Sequence, residues 1–237
     1  MLTVIVAGPP SVGKTAVILH VAKALVRDGL RPAALKFDTR PSPDSERYTD
    51  AGLASLTGVS GYLCPDHYFI ANMEEAIAWG QSQCADYLFV ETAGLCLRCA
   101  PHVEGLPAVT VVDCLGGLDA PVKMGPMLTL ADLVVLTKGD LVSQAEREVL
   151  LHGVRQVNAG AEVLAVNGLT GTGSLALLRF LRSYDAVEGV GERRLRHDMP
   201  ASICSYCTGE RRIGKVYQSG NVEKLNTEVC HAASSAA

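Results

Sequence analysis

Residues 8–15 read Gly-Pro-Pro-Ser-Val-Gly-Lys-Thr, between an apolar run, Leu2–Ala7, and a helical stretch, Ala16–Arg27. A G-x-x-x-x-G-K-T pattern in this context of strand, loop and helix is typical of a phosphate-binding loop. Gly8 and Gly13 allow the backbone to close around an anion with successive N–H groups pointing inward. The alternative, a glycine-rich turn without function, is disfavoured because strand and helix signals flank the loop on both sides.

The loop residues have separate expected roles. The helix that follows contributes its N-terminal dipole and free amides. Lys14 supplies a positive charge for the β- and γ-phosphates, and the Thr15 hydroxyl is placed for Mg²⁺. The predicted nucleotide contacts of this segment are Gly8, Pro9, Pro10, Ser11, Val12, Gly13, Lys14, Thr15 and Ala16.

Strand-like apolar runs alternate with helical patterns, which predicts an α/β fold with a doubly wound, mostly parallel sheet. Hydrophobic residues make up 48% of the chain and aromatic residues only 5%, as expected for aliphatic strands buried on both faces. The candidate strands are Leu2–Ala7, Ala33–Phe37, Tyr87–Glu91, Ala108–Asp113, Leu133–Thr137 and Glu162–Val166. The candidate helices are Ala16–Arg27, Asn72–Gln83, Gln144–Asn158 and Ser174–Arg182.

The composition narrows the possible partners and compartment. The net charge of −4 gives no sequence-independent case for nucleic-acid binding. No apolar run reaches the roughly 18 residues of a membrane span. The N-terminus lacks a signal-peptide layout, so we expect a cytoplasmic protein. The eight cysteines then indicate metal binding, redox chemistry or burial rather than a disulfide framework.

The character of the chain changes after about Tyr184. We predict a nucleotide-binding domain over residues 1–184 and a Cys-containing C-terminal tail or small lobe over residues 185–237, partly disordered. Arg193, Arg194 and Arg196 in this tail form either a solvated face or a docking site for an acidic client.

A second nucleotide signal is Thr137-Lys138-Gly139-Asp140, directly after an apolar strand. It is similar to the N/T-K-x-D element of GTPases, with Thr137 in the place of the more usual Asn. The Asp140 carboxylate can accept two hydrogen bonds from the N1–H and 2-amino group of guanine, which adenine does not offer. Asn167, Gly168 and Leu169 follow the next strand and are predicted to wall the base. A helix-capping role for Asp140 is the plain alternative.

Together these elements resemble the CobW/HypB/UreG group of P-loop GTPases, over about residues 1–182. Glu91-Thr92-Ala93-Gly94 looks like the E-x-x-G element of the group, and the run Val111–Leu141 is similar to its urease and hydrogenase chaperones. The resemblance implies catalytic roles for Lys14, Asp38, Glu91 and Gly94. By this resemblance, Asp38 and Glu91 lie near Mg²⁺ together with Thr15, and the Gly94 amide senses the γ-phosphate. It also implies a nucleotide-dependent homodimer.

The cysteines suggest a second site. Cys96 and Cys99 follow the E-x-x-G element, and Cys204 and Cys207 form another C-x-x-C pair in the tail, a spacing that lets two thiolates hold one metal ion or cluster edge. Zn²⁺, Ni²⁺ and a [4Fe–4S] cluster remain open, as does a redox pair. Cys64 and His67, in Cys-Pro-Asp-His, resemble the Cys-Pro-His metal site of the urease chaperones with one residue inserted, and are the weaker candidates. Cys84 and Cys114 are predicted to be buried core thiols.

The resulting prediction is a slow GTPase that uses GTP/GDP and Mg²⁺ and couples nucleotide state to metal or Fe–S handling for a client metalloenzyme or its accessory proteins. Intrinsic turnover is expected to be low because no arginine finger in cis is evident. One alternative is an ATP-dependent activator of an iron–sulfur or corrinoid protein, although Pro9 and Pro10 stand where the related ATPases carry an extra lysine. A second alternative is a nucleotide-gated metal-sensing scaffold.

Overall fold

The structure is a computed structural model that describes residues 1–96, 99–186, 189, 191–197, 210–213, 217 and 223–227. Within these residues, seven strands form one sheet in the order β3-β2-β4-β1-β5-β6-β7. Every pairing between neighbouring strands is parallel. The predicted doubly wound α/β fold is therefore confirmed.

The strands are β1 (Leu2–Ala7), β2 (Pro32–Asp38), β3 (Ala54–Val59), β4 (Tyr87–Glu91), β5 (Ala108–Asp113), β6 (Leu133–Thr137) and β7 (Glu162–Ala165). The helices are α1 (Lys14–Arg27), α2 (Asp44–Asp50), α3 (Pro65–Ala71), α4 (Met73–Ser82), α5 (Ala120–Lys123), α6 (Pro126–Thr129), α7 (Gln144–Val157) and α8 (Ser174–Leu181). The carboxyl ends of parallel strands meet at one edge of the sheet, which is where such folds bind ligands.

The sequence analysis missed the strand β3, the seven-residue helices α2 and α3, and the four-residue helices α5 and α6. Strand β3 is an edge strand that pairs only with β2 among the described residues. Its sequence, Ala-Ser-Leu-Thr-Gly-Val, is less apolar than that of the central strands. The helices α2 and α3 have seven residues each, too few to show a clear helical period.

The described part of the C-terminal tail packs against the domain. Leu195, Ile213 and Leu225 are buried in the same core cluster as Phe37 and Cys99. The division at residue 184 stays a prediction, but these segments contribute to the core rather than extending away from it. Among the described residues, no helix has both the length and the apolar character needed to cross a bilayer.

Candidate functional site

The phosphate-binding loop lies at the carboxyl end of β1, and Lys14 holds it together. The Lys14 ammonium donates to the carbonyl oxygens of Gly8 and Pro9, at 2.8 Å each. Gly8 has φ +143°, and a Cβ there would lie 2.3 Å from the carbonyl oxygen of Val111. Only glycine fits at this position, where the loop passes against β5. Burial lowers the pKa of Lys14 to about 8, although the Glu91 carboxylate opposes this shift.

A cavity of about 420 Å³ opens beside the loop. Its lining combines loop residues with acidic and basic side chains from β2, α2 and β4. The members that bear on its chemistry are Gly13, Lys14, Thr15, Lys36, Asp38, Asp44, Arg47 and Glu91. This volume and these charges suit a phosphorylated ligand with a cation.

Glu91 is the centre of a hydrogen-bonded group next to this cavity. The Thr15 hydroxyl lies 3.1 and 3.0 Å from its two carboxylate oxygens, and the Tyr48 hydroxyl donates to Oε2 at 2.5 Å. Burial, together with the neighbouring Glu91 charge, raises the pKa of Tyr48 well above its usual value, so the phenol stays a donor. With Asp38 lining the same cavity, the oxygen donors Thr15, Asp38 and Glu91 are the type that Mg²⁺ prefers.

Lys36 is a basic residue that the sequence analysis did not single out. Its side chain on β2 is only 7% exposed, and its ammonium contacts Asp44 and lies 3.5 Å from Asp38 and 3.6 Å from Glu91. Burial alone would lower the pKa of Lys36, but the carboxylates of Glu91, Asp44 and Asp38 together raise it. Lys36 therefore carries a charge among the predicted magnesium ligands. A lysine inside a strand gives no pattern in one sequence, and only the structure brings the three acids to it.

Arg47 also lines the cavity. Its guanidinium, on α2, lies 3.2 Å from the Asp44 carboxylate and its side chain is half exposed. Asp44 contacts both Lys36 and Arg47: the pair with Arg47 lies within α2, and the pair with Lys36 connects α2 to β2. The sequence offered no arginine in the phosphate-binding motif, and this one enters the site through the fold.

The Thr137–Asp140 segment lies at the end of β6 and contacts the phosphate-binding loop directly. The Thr137 hydroxyl donates to the carbonyl oxygen of Val12 at 2.6 Å. The Lys138 ammonium pairs with Asp113 at 2.6 Å, which fixes its stem. Asp140 lines a smaller cavity of about 210 Å³, together with Asn167. The segment is thus positioned on the same edge of the sheet as the phosphate loop.

The loop that contains Asn167, Gly168 and Leu169 is closed by its own hydrogen bonds. The Asn167 Oδ1 accepts from the backbone N–H groups of Leu169 and Thr170, at 2.9 and 3.0 Å. The His20 Nε2 lies 3.0 Å from the carbonyl oxygen of Gly168 and connects the loop to α1. Asn167 therefore shapes the loop with its side-chain oxygen, and Leu169 is left exposed at its tip.

A second group of potential ligands includes the two cysteines that follow the E-x-x-G element. The ligand atoms of Asp66, Cys96 and Cys99 all lie within 4.8 Å of one another, and the two sulfur atoms are 3.1 Å apart. Asp66 is 1% exposed, and neither of its carboxylate oxygens has a hydrogen-bond partner among the described residues. Burial raises the pKa of Asp66 to about 6. Burial, followed by the hydrogen bond with Cys96, raises the pKa of Cys99 well above its usual value.

This group differs from the predicted ligand set. Asp66, the residue inserted into the Cys-Pro-His pattern, lies with the thiols, whereas Cys64 and His67 fall outside the group. His67 is buried with an unpartnered Nε2. Cys64 is half-buried and contributes to the electrostatic environment of Cys99. Cys204 and Cys207 lie outside the described residues, so their part in any site stays a prediction.

Gly94 connects the nucleotide loop to the thiols. It has φ +72°, and a Cβ on it would lie 1.7 Å from the carbonyl oxygen of Gly8. Cys96 is two residues further along the chain. The E-x-x-G element is therefore pressed against the phosphate-binding loop at the point where the cysteine segment begins.

Two predictions about individual side chains are wrong. Cys84 is exposed rather than buried, because it occupies the turn after α4 with φ +52°. Cys114 is only half-buried. One tail arginine also departs from the predicted solvated face: Arg196 donates to the Asp132 carboxylate with both terminal guanidinium nitrogens, at 2.6 and 2.7 Å.

Residues 2–165 match the sequence model of the nucleotide-binding domain of the CobW/HypB/UreG family. The fold and the phosphate-binding loop define a P-loop NTPase, and the chain belongs to the CobW/HypB/UreG family of P-loop GTPases. The predicted family is thereby confirmed.

Individual proteins and one solved structure are also similar to this chain. An uncharacterized protein of Methanocaldococcus jannaschii is 40% identical over 226 residues, covering 95% of this chain and 97% of its own length. The hydrogenase maturation factor HypB of Rhizobium leguminosarum is 27% identical, covering 73% of this chain and 58% of that protein. The crystal structure of HypB from Helicobacter pylori in complex with nickel has a TM-score of 0.61 at 16% identity and covers 79% of this chain and 90% of that one. The last similarity concerns the fold.

Proposed function

We propose that the protein is a GTPase that couples its nucleotide state to the handling of a divalent transition metal for a client metalloenzyme or its accessory proteins. The observation that carries this proposal is the placement of Gly94 against Gly8, two residues before Cys96. A change at the phosphate loop is then transmitted over two residues to a thiol and carboxylate group. HypB and UreG relatives support the same type of role.

In the nucleotide site, the loop from Gly8 to Ala16 would bind the phosphates, with Lys14 as its point charge. Thr15, Asp38 and Glu91 would hold Mg²⁺, which stabilises the charge that develops during phosphoryl transfer. Asp140 would select guanine, and Asn167, Gly168 and Leu169 would border the base. Tyr48 orients Glu91 by donating to one of its oxygens, at 2.5 Å.

The transported metal would bind at Asp66, Cys96 and Cys99. Two thiolates and one carboxylate suit Zn²⁺ or Ni²⁺ better than an iron–sulfur cluster, which is usually held by four cysteines. An unpartnered carboxylate at 1% exposure is costly unless a cation or a proton neutralises it. Bound metal would remove this cost. We place the protein in the cytoplasm and expect a nucleotide-dependent homodimer with slow turnover.

The test is to purify the chain anaerobically and to measure its visible absorption, its iron, nickel and zinc content, and its GTP and ATP affinities. Wild type is compared with the double variant Cys96→Ser/Cys99→Ser and with Cys114→Ser as the matched control. We expect the double variant to lose metal and to keep GTP binding, whereas Cys114→Ser keeps both. Equal loss of metal and nucleotide in the double variant would refute the coupling. A brown protein with about four irons per dimer would indicate a cluster instead.

A further inference from the structure

The ammonium of Lys36 lies among the carboxylates that the proposed function gives to magnesium. It contacts Asp44 and lies 3.5 Å from Asp38 and 3.6 Å from Glu91. We propose that Lys36 is a built-in cation that occupies the carboxylate cluster of the magnesium site, so that a divalent cation binds there only together with nucleotide. The inference rests on the proposed nucleotide site and adds a regulation of its metal affinity.

The position of the ammonium is fixed by the sheet. Lys36 and Glu91 are partners in the register of β2 and β4, and Asp38 lies two residues further on β2. Residues i and i+2 of a strand project from the same face. The lysine therefore shares a face with both acids. Its placement does not depend on the rotamer of a surface side chain, since only 7% of it is exposed.

The charges explain why nucleotide would be required. Three carboxylates in a mostly buried site attract a divalent cation strongly unless another positive charge neutralises them. Lys36 supplies that charge, and it repels a divalent ion placed at ligand distance from Asp38 and Glu91. A bound nucleoside triphosphate adds several negative charges next to Lys36, and these charges offset the repulsion between the ammonium and the divalent ion. The cation and the nucleotide then bind as one unit.

Asp44 provides a partner for Lys36 when a cation binds to Asp38 and Glu91. It lies on α2, it contacts the Lys36 ammonium, and it is not among the predicted magnesium ligands. When a cation takes Asp38 and Glu91, Lys36 keeps Asp44 as its partner and no buried charge is left unpaired. The ion pair with Arg47 at 3.2 Å holds Asp44 in place from the solvent side.

The experiment titrates the nucleotide-free full chain with Mn²⁺, which takes oxygen ligands similar to those of Mg²⁺ and is detected by electron paramagnetic resonance. The neutral variants Lys36→Met and Lys36→Gln are compared with Lys36→Arg and with Lys23→Met, a change of an exposed lysine on α1. Without nucleotide we expect both neutral variants to bind Mn²⁺ about tenfold tighter than wild type. Lys36→Arg and Lys23→Met should remain as weak as wild type.

An unchanged or weaker Mn²⁺ affinity in folded Lys36→Met and Lys36→Gln would overturn the proposal and leave Lys36 as a structural ion pair. If neither variant folds by circular dichroism, Asp44→Asn is used. That change leaves the ammonium with Asp38 and Glu91 alone, so Mn²⁺ should bind more weakly in the presence of GDP, and an unchanged affinity would overturn the proposal. A separate titration of wild type with fluorescent GDP tests the nucleotide site independently. If wild type does not bind GDP, the proposed function is refuted. If it binds GDP and the Mn²⁺ results disagree with expectation, only the role of Lys36 is refuted.

Discussion

Gly94 and Gly8 are in such close contact that a Cβ on Gly94 would lie 1.7 Å from the carbonyl oxygen of Gly8. The two glycines belong to different segments, the E-x-x-G element after β4 and the phosphate-binding loop after β1. Movement of either segment toward the other at this point is blocked by the contact. This contact is the physical basis of the proposed coupling between nucleotide state and the cysteines.

Replacement of Gly94 by alanine tests this contact. The clash should force the two segments apart and lower GDP affinity about tenfold or more, because the phosphate loop loses its closed form. Gly29→Ala is the matched control: its φ of +78° is similar to the +72° of Gly94, but its Cβ would meet nothing within 4 Å. The Gly29→Ala change should lower the free energy of unfolding by about 1 kcal/mol and leave the GDP affinity unchanged. Titration with fluorescent GDP and chemical denaturation measure both quantities, and equal affinities in the two variants would contradict the role of the contact.

Asp140→Asn should abolish the preference for guanine. The amide nitrogen places a donor where guanine also offers donors, so one of the two hydrogen bonds is lost and GTP affinity should fall by about tenfold to a hundredfold. The same amide can donate to the 2-oxo group of xanthine, so xanthosine triphosphate should bind better to the variant than to wild type. Competition titrations with GTP, ATP and xanthosine triphosphate provide the measurement. Asp185→Asn, an exposed carboxylate after α8, is the control. Unchanged GTP selectivity in Asp140→Asn would favour a capping role.

His102 should make the protein less stable in mild acid. Burial lowers its pKa from 6.5 to about 4, although the Met127 carbonyl opposes the shift. The folded state therefore binds fewer protons than the unfolded state between these values, and stability falls as the pH falls below 6.5. Between pH 7 and pH 5 this group should remove about 2 kcal/mol from the free energy of unfolding.

The variant His102→Gln lacks this titration, so its stability should depend less on pH by that amount. His152→Gln, an exposed position on α7, should keep the dependence of wild type. Denaturant unfolding at pH 7, 6 and 5 measures the difference. If the free energy of unfolding changes equally with pH in all three proteins, a group other than His102 controls stability in acid.

Arg196 should stabilise the whole domain. Its guanidinium contacts Asp132 and donates to the carbonyl oxygens of Leu130 and Leu106, at 2.9 Å each. Arg196→Ala removes the donors of these two carbonyls and the charge partner of Asp132, which keeps the Ala108 N–H at 3.0 Å, and it should cost about 2 kcal/mol. Arg179→Ala, on the exposed side of α8, should stay within about 0.5 kcal/mol of wild type. Urea denaturation compares them, and a loss below 1 kcal/mol for Arg196→Ala would assign the pair to the solvated surface.

The sequence predicted the central fold well because its strands are long apolar runs. Every predicted strand appears within two residues of its expected ends, and so does each predicted helix. The edge strand β3 was missed because Thr57 and Gly58 interrupt its apolar character. The helix α2 was missed because its residues are almost all polar, with only Tyr48 buried.

The candidate site was predictable where a motif carries it and not where the fold assembles it. Gly8–Thr15 and Glu91–Gly94 have fixed spacings that a single sequence shows. Lys36 belongs to no motif, and Asp66 is the residue inserted into Cys-Pro-Asp-His, so the importance of both depends on distant partners. Lys36 meets Asp44 and Glu91 only after β2, α2 and β4 pack together. Asp66 meets the two thiols only after α3 packs next to the segment that follows β4.

The burial of Leu195, Ile213 and Leu225 has a practical consequence for anyone who shortens this chain. A protein cut at Tyr184, where the family resemblance fades, would lose three apolar side chains from the cluster that also contains Cys99. The exposed surface left behind would favour aggregation, and the loosened packing would reach the cysteine itself. Studies of nucleotide binding alone therefore need a polypeptide that keeps Leu195, Ile213 and Leu225, because these side chains pack in the same cluster as the Cys99 thiol.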